Sequence, residues 1–74
     1  MTVGELIKAL NELDPELRVF RPGYEGGFAD VTVSEPDTFC LDVHLDWWMG
    51  SHDYHKYIPV EDAAEYKQVK GIVL

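Results

Sequence analysis

Cysteine occurs only once in the 74-residue sequence, at position 40, so the chain cannot form an internal disulfide. The first residues lack the basic-then-apolar pattern of a secretion signal. No apolar run approaches the roughly 20 residues that a membrane-spanning helix requires, and internal repeats and linkers are absent. With the short length, these absences predict a single small domain over residues 1–74, located in the cytoplasm and without a membrane partner.

Basic residues are also scarce. Six Lys and Arg residues stand against fourteen Asp and Glu residues, which gives a formal net charge of -8. This charge repels nucleic acid phosphates and anionic lipids and attracts basic protein surfaces over long distances. We therefore expect no direct nucleic acid binding and a partner with a basic surface. Acidity that serves only solubility is the alternative explanation.

The N-terminal residues carry the signals of a helix. Thr2 followed by Glu5 is a capping box. Leu6, Leu10 and Leu13 recur at helical spacing and form one apolar face. The residue before a proline is disfavoured in helical geometry. Asp14-Pro15 therefore limits the helix to residues 3–13.

Alternating apolar and polar residues predict the strands. The alternation is most regular over residues 39–46, and the other strands are expected over 17–21, 28–34 and 69–74. A short connection after residue 34 predicts that the second and third strands form a hairpin. Residues 61–66 fit one helical turn. The expected fold is α+β, with one N-terminal helix packed on a three- to four-stranded antiparallel sheet.

The same alternation assigns residues to two faces of the sheet. The expected core consists of Leu6, Leu10, Leu13, Val19, Val31, Val33, Phe39, Leu41, Val43 and Leu45. The expected polar face carries Asp30, Thr32, Ser34, Asp42, His44 and Asp46. Cys40 falls between core positions and is expected to be a surface or edge thiol.

No motif identifies a reaction. Asp42, His44 and Asp46 would be spread along a strand, since alternate strand positions lie about 6.6 Å apart, and one ion could not bind all three. Ser51-His52-Asp53 has the composition of a hydrolase triad, but neighbouring residues normally point apart. We therefore expect no catalytic residue, no metal site, no cofactor and no enzymatic activity. A small metal-binding or hydrolytic protein that uses His44, His52 and His55 is the alternative.

Aromatic residues are concentrated in a predicted loop over residues 47–57, WWMGSHDYHKY. Trp and Tyr dominate the energetics of protein interfaces, whereas base stacking would require a basic groove that this sequence does not provide. The candidate partner-binding residues are Glu25, Asp30, Asp42, Asp46, Trp47, Trp48 and Tyr54. Two alternatives are aromatic residues that close the core and a homodimer formed through Trp47 and Trp48.

Three segments, TVGELIKALNELDPELRVF, GYEGGFADVTV and VKGIVL, resemble small uncharacterised proteins of phages and prophages. In size and acidity the chain is similar to anti-CRISPR inhibitors, several of which mimic nucleic acid to block a surveillance complex. The resemblance implies a phage-encoded inhibitor of a nucleic-acid-binding host defence complex, acting in the host cytoplasm. It transfers no functional residues, because the shared motifs are a cap, an apolar stripe and a turn.

Overall fold

The computed structural model describes residues 1–74 and shows an α+β arrangement with an N-terminal helix and two small antiparallel sheets. The chain divides into two compact units, Met1–Val31 and Thr32–Leu74, called here the N-terminal and C-terminal units. The prediction of one sheet is wrong, since the sheets contain two and three strands respectively. Neither helix is long and apolar enough to cross a membrane.

Helix α1 spans Val3–Leu10 and begins with the predicted capping box. The Glu5 amide donates to Thr2 Oγ1 over 3.1 Å, and the Thr2 amide donates to Glu5 Oε1 over 2.9 Å. The helix ends at Leu10 rather than Leu13, because Asn11 caps it and the next amides form turns. The Asp14-Pro15 boundary therefore lies beyond the true end of the helix.

The N-terminal unit also contains a hairpin of β1 (Phe20–Pro22) and β2 (Phe28–Asp30). Both strands are short: the first starts three residues later than predicted, and the second ends at Asp30 instead of residue 34. The connecting turn uses Gly26 and Gly27 at φ values of 120° and 65°, a backbone conformation that favours glycine. This glycine turn pairs β2 with β1.

The C-terminal unit is built on a three-stranded antiparallel sheet with the order β4-β3-β5. Strand β3 (Asp37–Cys40) lies in the centre, between β4 (Asp53–Tyr54) and β5 (Gln68–Gly71). The predicted hairpin between the second and third strands is wrong, because β2 pairs with β1. The segment between β2 and β3 instead bonds the C-terminal residues, where the Ser34 amide donates to the Val73 carbonyl over 2.9 Å.

Two short helical segments connect β4 to β5. A 3₁₀ turn covers His55–Tyr57, and helix α2 covers Val60–Ala63. The predicted helical turn over residues 61–66 therefore starts one residue earlier and is shorter. The final strand ends at Gly71 rather than residue 74, although Val73 still bonds Ser34 through its amide.

Strand β3 ends at Cys40, and the predicted strand over residues 39–46 is wrong beyond that point. Asp42 adopts φ 55°, which turns the chain out of the sheet. A left-handed residue interrupts the two-residue alternation, so Leu41, Val43 and Leu45 do not share a strand face. Leu45, expected in the core, is 92% exposed.

The buried residues are Cys40 and Ala63. The prediction of a surface thiol at Cys40 is wrong, because Asp53 on β4 and Gln68 on β5 flank this central-strand residue on both sides. Of the other expected core residues, Leu6, Val31, Phe39, Leu41 and Val43 are half-buried. Those that remain exposed are Leu10, Leu13, Val19, Val33 and Leu45.

Candidate functional site

The most distinctive surface feature of the C-terminal unit is the loop over residues 41–52, which leaves β3 and returns as β4. The two ends of this loop are adjacent, because Cys40 lies opposite Asp53 in the β3–β4 register. Its outgoing arm is also tied to the neighbouring segment, since the Leu41 amide donates to the Lys67 carbonyl over 2.9 Å. The sheet therefore fixes where the 41–52 loop begins and ends.

Hydrogen bonds close the base of the 41–52 loop. The Ser51 carbonyl accepts from the Val43 amide over 2.7 Å and from the His44 amide over 3.0 Å. The Asp42 amide donates to Nδ1 of His52 over 3.0 Å. This bond satisfies the amide of a residue in the left-handed region, which aspartate tolerates better than most residues do.

A second side-chain bond crosses the base. Nε2 of His44 lies 2.8 Å from Oδ2 of Asp53, and both side chains are partly buried. An ionised carboxylate can only accept, so His44 donates through Nε2. The bond from His44, followed by the Tyr54 amide, lowers the pKa of the Asp53 carboxyl group. Asp53 is therefore held in its charged form by the groups that organise the loop.

The tip of the 41–52 loop is apolar and exposed. The exposed fractions are 92% for Leu45, 91% for Trp47, 66% for Trp48 and 45% for Met49. The two Trp rings contact each other edge to face, with 5.9 Å between centroids, and the Met49 amide donates to the Asp46 carbonyl over 3.2 Å. The backbone bonds at its base, rather than burial of its tip, position this loop.

The electrostatics around this tip are negative. Residues 41–55 contain the carboxylates of Asp42, Asp46 and Asp53 and no Lys or Arg. Asp42 and Asp46 are exposed, although not on a sheet face as predicted, because both follow the end of β3. The 41–52 loop therefore combines an exposed apolar tip with carboxylates and contains no basic side chain of Lys or Arg.

The structure gives the other candidate binding residues different surroundings. The Tyr54 ring stacks on Phe39 with 4.8 Å between centroids, and Lys56 Nζ lies 4.6 Å from the centre of the Tyr54 ring. In the N-terminal unit, Asp30 forms an ion pair with Arg18 at 2.8 Å, and Glu25 lies in the β1–β2 turn. Asp42, Asp46, Trp47 and Trp48 are the candidates that share the 41–52 loop.

The geometry does not assemble the alternative histidine sites. No group of three or more His, Cys, Asp or Glu residues is placed to hold a metal ion. The Asp53 carboxylate bonds His44 rather than His52, while His52 accepts the Asp42 amide. The consecutive Ser51-His52-Asp53 residues therefore lack the histidine–aspartate bond of a triad.

Sequence reasoning missed two contributors to this surface. The alternation predicts a core position for Leu45, and the candidate binding residues do not include Met49, yet both side chains are exposed beside the tryptophans. The sequence LDWWMG does contain a signal for such a tip. Four apolar residues surround one aspartate and precede a glycine, which is a poor pattern for a continuing strand.

No protein-family model, curated protein or solved structure matches this chain. The geometry of the 41–52 loop and the charge of the chain consequently provide the basis for assigning a function.

Proposed function

We propose that this protein is an acidic, non-enzymatic binding module that uses the 41–52 loop to bind a basic protein surface. The observation that supports it is the exposed apolar tip on a loop whose base is closed by backbone and histidine bonds. Because the base is already ordered, binding would cost less conformational entropy than ordering a free segment. Such preorganisation favours recognition of a specific partner.

The chemistry of the loop defines the partner. Trp47 and Trp48 would act as anchors in an apolar pocket, since tryptophan is enriched among residues that dominate binding energy. Asp42 and Asp46 would face Lys or Arg side chains at the rim and steer the approach. A basic surface patch is characteristic of proteins that bind nucleic acid.

In its most specific form, the proposal is that this protein is a phage-encoded inhibitor of a nucleic-acid-binding host defence complex. The net charge of -8 supports this form, and the phage origin is the expectation that the sequence resemblance raises. An acidic protein that occupies a phosphate-binding surface would compete with nucleic acid for it. Competition between the two ligands therefore distinguishes this form from binding to an unrelated basic surface.

The test begins with capture from bacterial lysate on wild-type protein and on a Trp47→Ala/Trp48→Ala variant. A candidate partner is purified, and its association rate is measured at about 0.05 M and about 0.5 M salt. The charge variant is Asp42→Asn/Asp46→Lys, because asparagine tolerates the left-handed conformation of residue 42. Its matched control is Glu61→Gln/Glu65→Lys, which changes the charge equally at exposed positions outside the loop.

We expect the loop charge variant to reduce the association rate roughly tenfold at low salt and little at high salt. The control should have a smaller effect, and nucleic acid should compete for the partner. Capture that is equal for wild type and the double tryptophan variant would contradict the proposed binding surface. Binding that persists in the presence of saturating nucleic acid would contradict the inhibitor form alone.

Self-association through Trp47 and Trp48 is a second candidate function, favoured by the same exposed tip. Sedimentation velocity at several concentrations tests it directly. A dimer that is lost in the double tryptophan variant would establish self-association, and a concentration-independent monomer would exclude it.

A further inference from the structure

The two histidines at the base of the 41–52 loop make bonds with opposite requirements for protons. His44 donates from Nε2 to the Asp53 carboxylate, whereas His52 accepts the Asp42 amide at Nδ1. A ring nitrogen can accept only when it carries no proton. The His52 bond therefore requires the neutral ring with its proton on Nε2.

Acid affects the two bonds differently. A protonated His52 would carry a hydrogen on Nδ1, which would face the hydrogen of the Asp42 amide, so this bond would be lost. A protonated His44 would still donate to Asp53 and would gain the attraction between opposite charges. Protonation of the ring therefore breaks the His52 bond, whereas the His44 bond does not require a neutral ring.

We propose that His52 is a proton-sensitive positioning residue that anchors the Asp42 turn at the base of the 41–52 loop when neutral and releases that turn when protonated. The released residue is Asp42, whose left-handed conformation turns the chain from β3 into the loop. Loss of its bond leaves the Asp42 turn without its side-chain anchor, while the amides of Leu41 and Val43 on either side keep their backbone bonds. The effect on partner binding rests on the proposed function, whereas the conformational change is a property of the isolated protein and does not require a partner.

Other charged groups lie on the segments that are bonded to the loop base. The titratable or charged residues on the segments bonded to the loop base are Asp42, His44, Asp46, Asp53, Lys67 and Lys70. Histidine is the side chain that ordinarily changes charge between about pH 5 and pH 8. A transition in this window can therefore be assigned by removing one histidine at a time.

The test is an NMR titration of the isolated protein from about pH 8 to about pH 5. It follows the ring nitrogens of His52, the exchange protection of the Asp42 amide and the indole signals of Trp47 and Trp48. We expect amide protection at Asp42 to fall roughly tenfold as His52 takes up its proton, the factor that loss of one hydrogen bond gives.

Three variants make the assignment specific. His52→Asn places an amide oxygen close to the position of Nδ1, so the Asp42 bond should persist at every pH in the window. His52→Ala removes the acceptor, so protection should be low throughout. His55→Ala is the matched control, since this side chain makes no hydrogen bond at the loop base. In this variant the Asp42 amide protection should depend on pH as it does in the wild type.

An Asp42 amide that stays equally protected across the titration in wild-type protein would overturn the proposal. The same pH response in His52→Asn as in wild type would also overturn it. Partner binding is measured separately at the two pH limits. A loop that titrates as expected without any partner would leave the histidine role established and would count against the proposed function only.

Discussion

The rings of Phe39 and Tyr54 stack across β3 and β4, with 4.8 Å between their centroids and 29° between their planes. On the other side of the central strand, the Phe39 ring lies against Gly71, where an added Cβ would come within 3.3 Å of it. Phe39 thus contacts both neighbouring strands. The Phe39 ring therefore links the three strands of the sheet.

A double-mutant cycle with Phe39→Leu and Tyr54→Leu should therefore reveal coupling. We expect a coupling free energy of about 0.5–1.5 kcal/mol, the range found for aromatic pairs beyond their burial. Urea unfolding followed by circular dichroism measures it. The control cycle combines Phe39→Leu with Trp47→Leu, because the Trp47 ring contacts Trp48 instead. Equal coupling in both cycles would show that ring stacking is not responsible.

The buried thiol of Cys40 gives a second prediction. Its side chain is fully inaccessible, so a thiol reagent should react with native protein roughly a hundredfold more slowly than with urea-unfolded protein. Replacement by Asp should prevent folding, since an unpaired charge would be buried between two strands. Rapid, stoichiometric labelling of the native protein would show that the central strand is open at this position.

The capping box gives a third prediction, in the N-terminal unit. Thr2→Ala removes the oxygen that accepts the Glu5 amide and should destabilise helix α1 by about 1 kcal/mol. Thr2→Ser retains this oxygen and should preserve the helix content. Far-UV circular dichroism compares the variants. Equal helix content in wild type and Thr2→Ala would mean that the cap does not limit helix formation.

Acid should weaken the protein through Asp53. The bonds from His44 and Tyr54 lower the pKa of its carboxyl group below the unfolded value of about 3.9. The stabilisation is therefore complete above about pH 4 and is lost as the pH falls through the lowered native pKa. Asp53→Asn should reduce the free energy of unfolding at neutral pH and flatten its decline in acid.

Urea unfolding of wild type and Asp53→Asn between about pH 2 and pH 5 provides the measurement. Glu61→Gln is the control, because its exposed carboxylate makes no side-chain hydrogen bond. If the stability difference between wild type and Asp53→Asn were constant across this range, the ionised carboxylate would not be the stabilising group.

Local signals predicted local structure well. Thr2 and Glu5 identified the start of helix α1, because a capping box involves residues only three positions apart. The β1–β2 turn is local as well, since the backbone conformation of Gly26 and Gly27 is intrinsic to glycine. The α+β class followed from these elements and from the alternating strands.

Contacts between segments that are far apart in sequence were not predicted. The alternation continues in sequence through Leu41, Val43 and Leu45, although the strand ends at Cys40. The chain leaves the sheet at Asp42, because the turn at this residue is stabilised by His52, ten residues away. Burial of Cys40 likewise depends on β5, whose pairing with β3 bridges a long separation in sequence. Periodicity describes one segment and contains no information about which distant segment will bond it.

The construction of the 41–52 loop suggests how its specificity could be changed. Residues 45–49 contribute no side chain to the sheet, and the bonds that close the loop lie at residues 42–44 and 51–53. The tip can therefore be exchanged while its supports are retained. A library that randomises only the tip would turn this small domain into a display scaffold, with each new recognition surface held by the same histidine-bonded base.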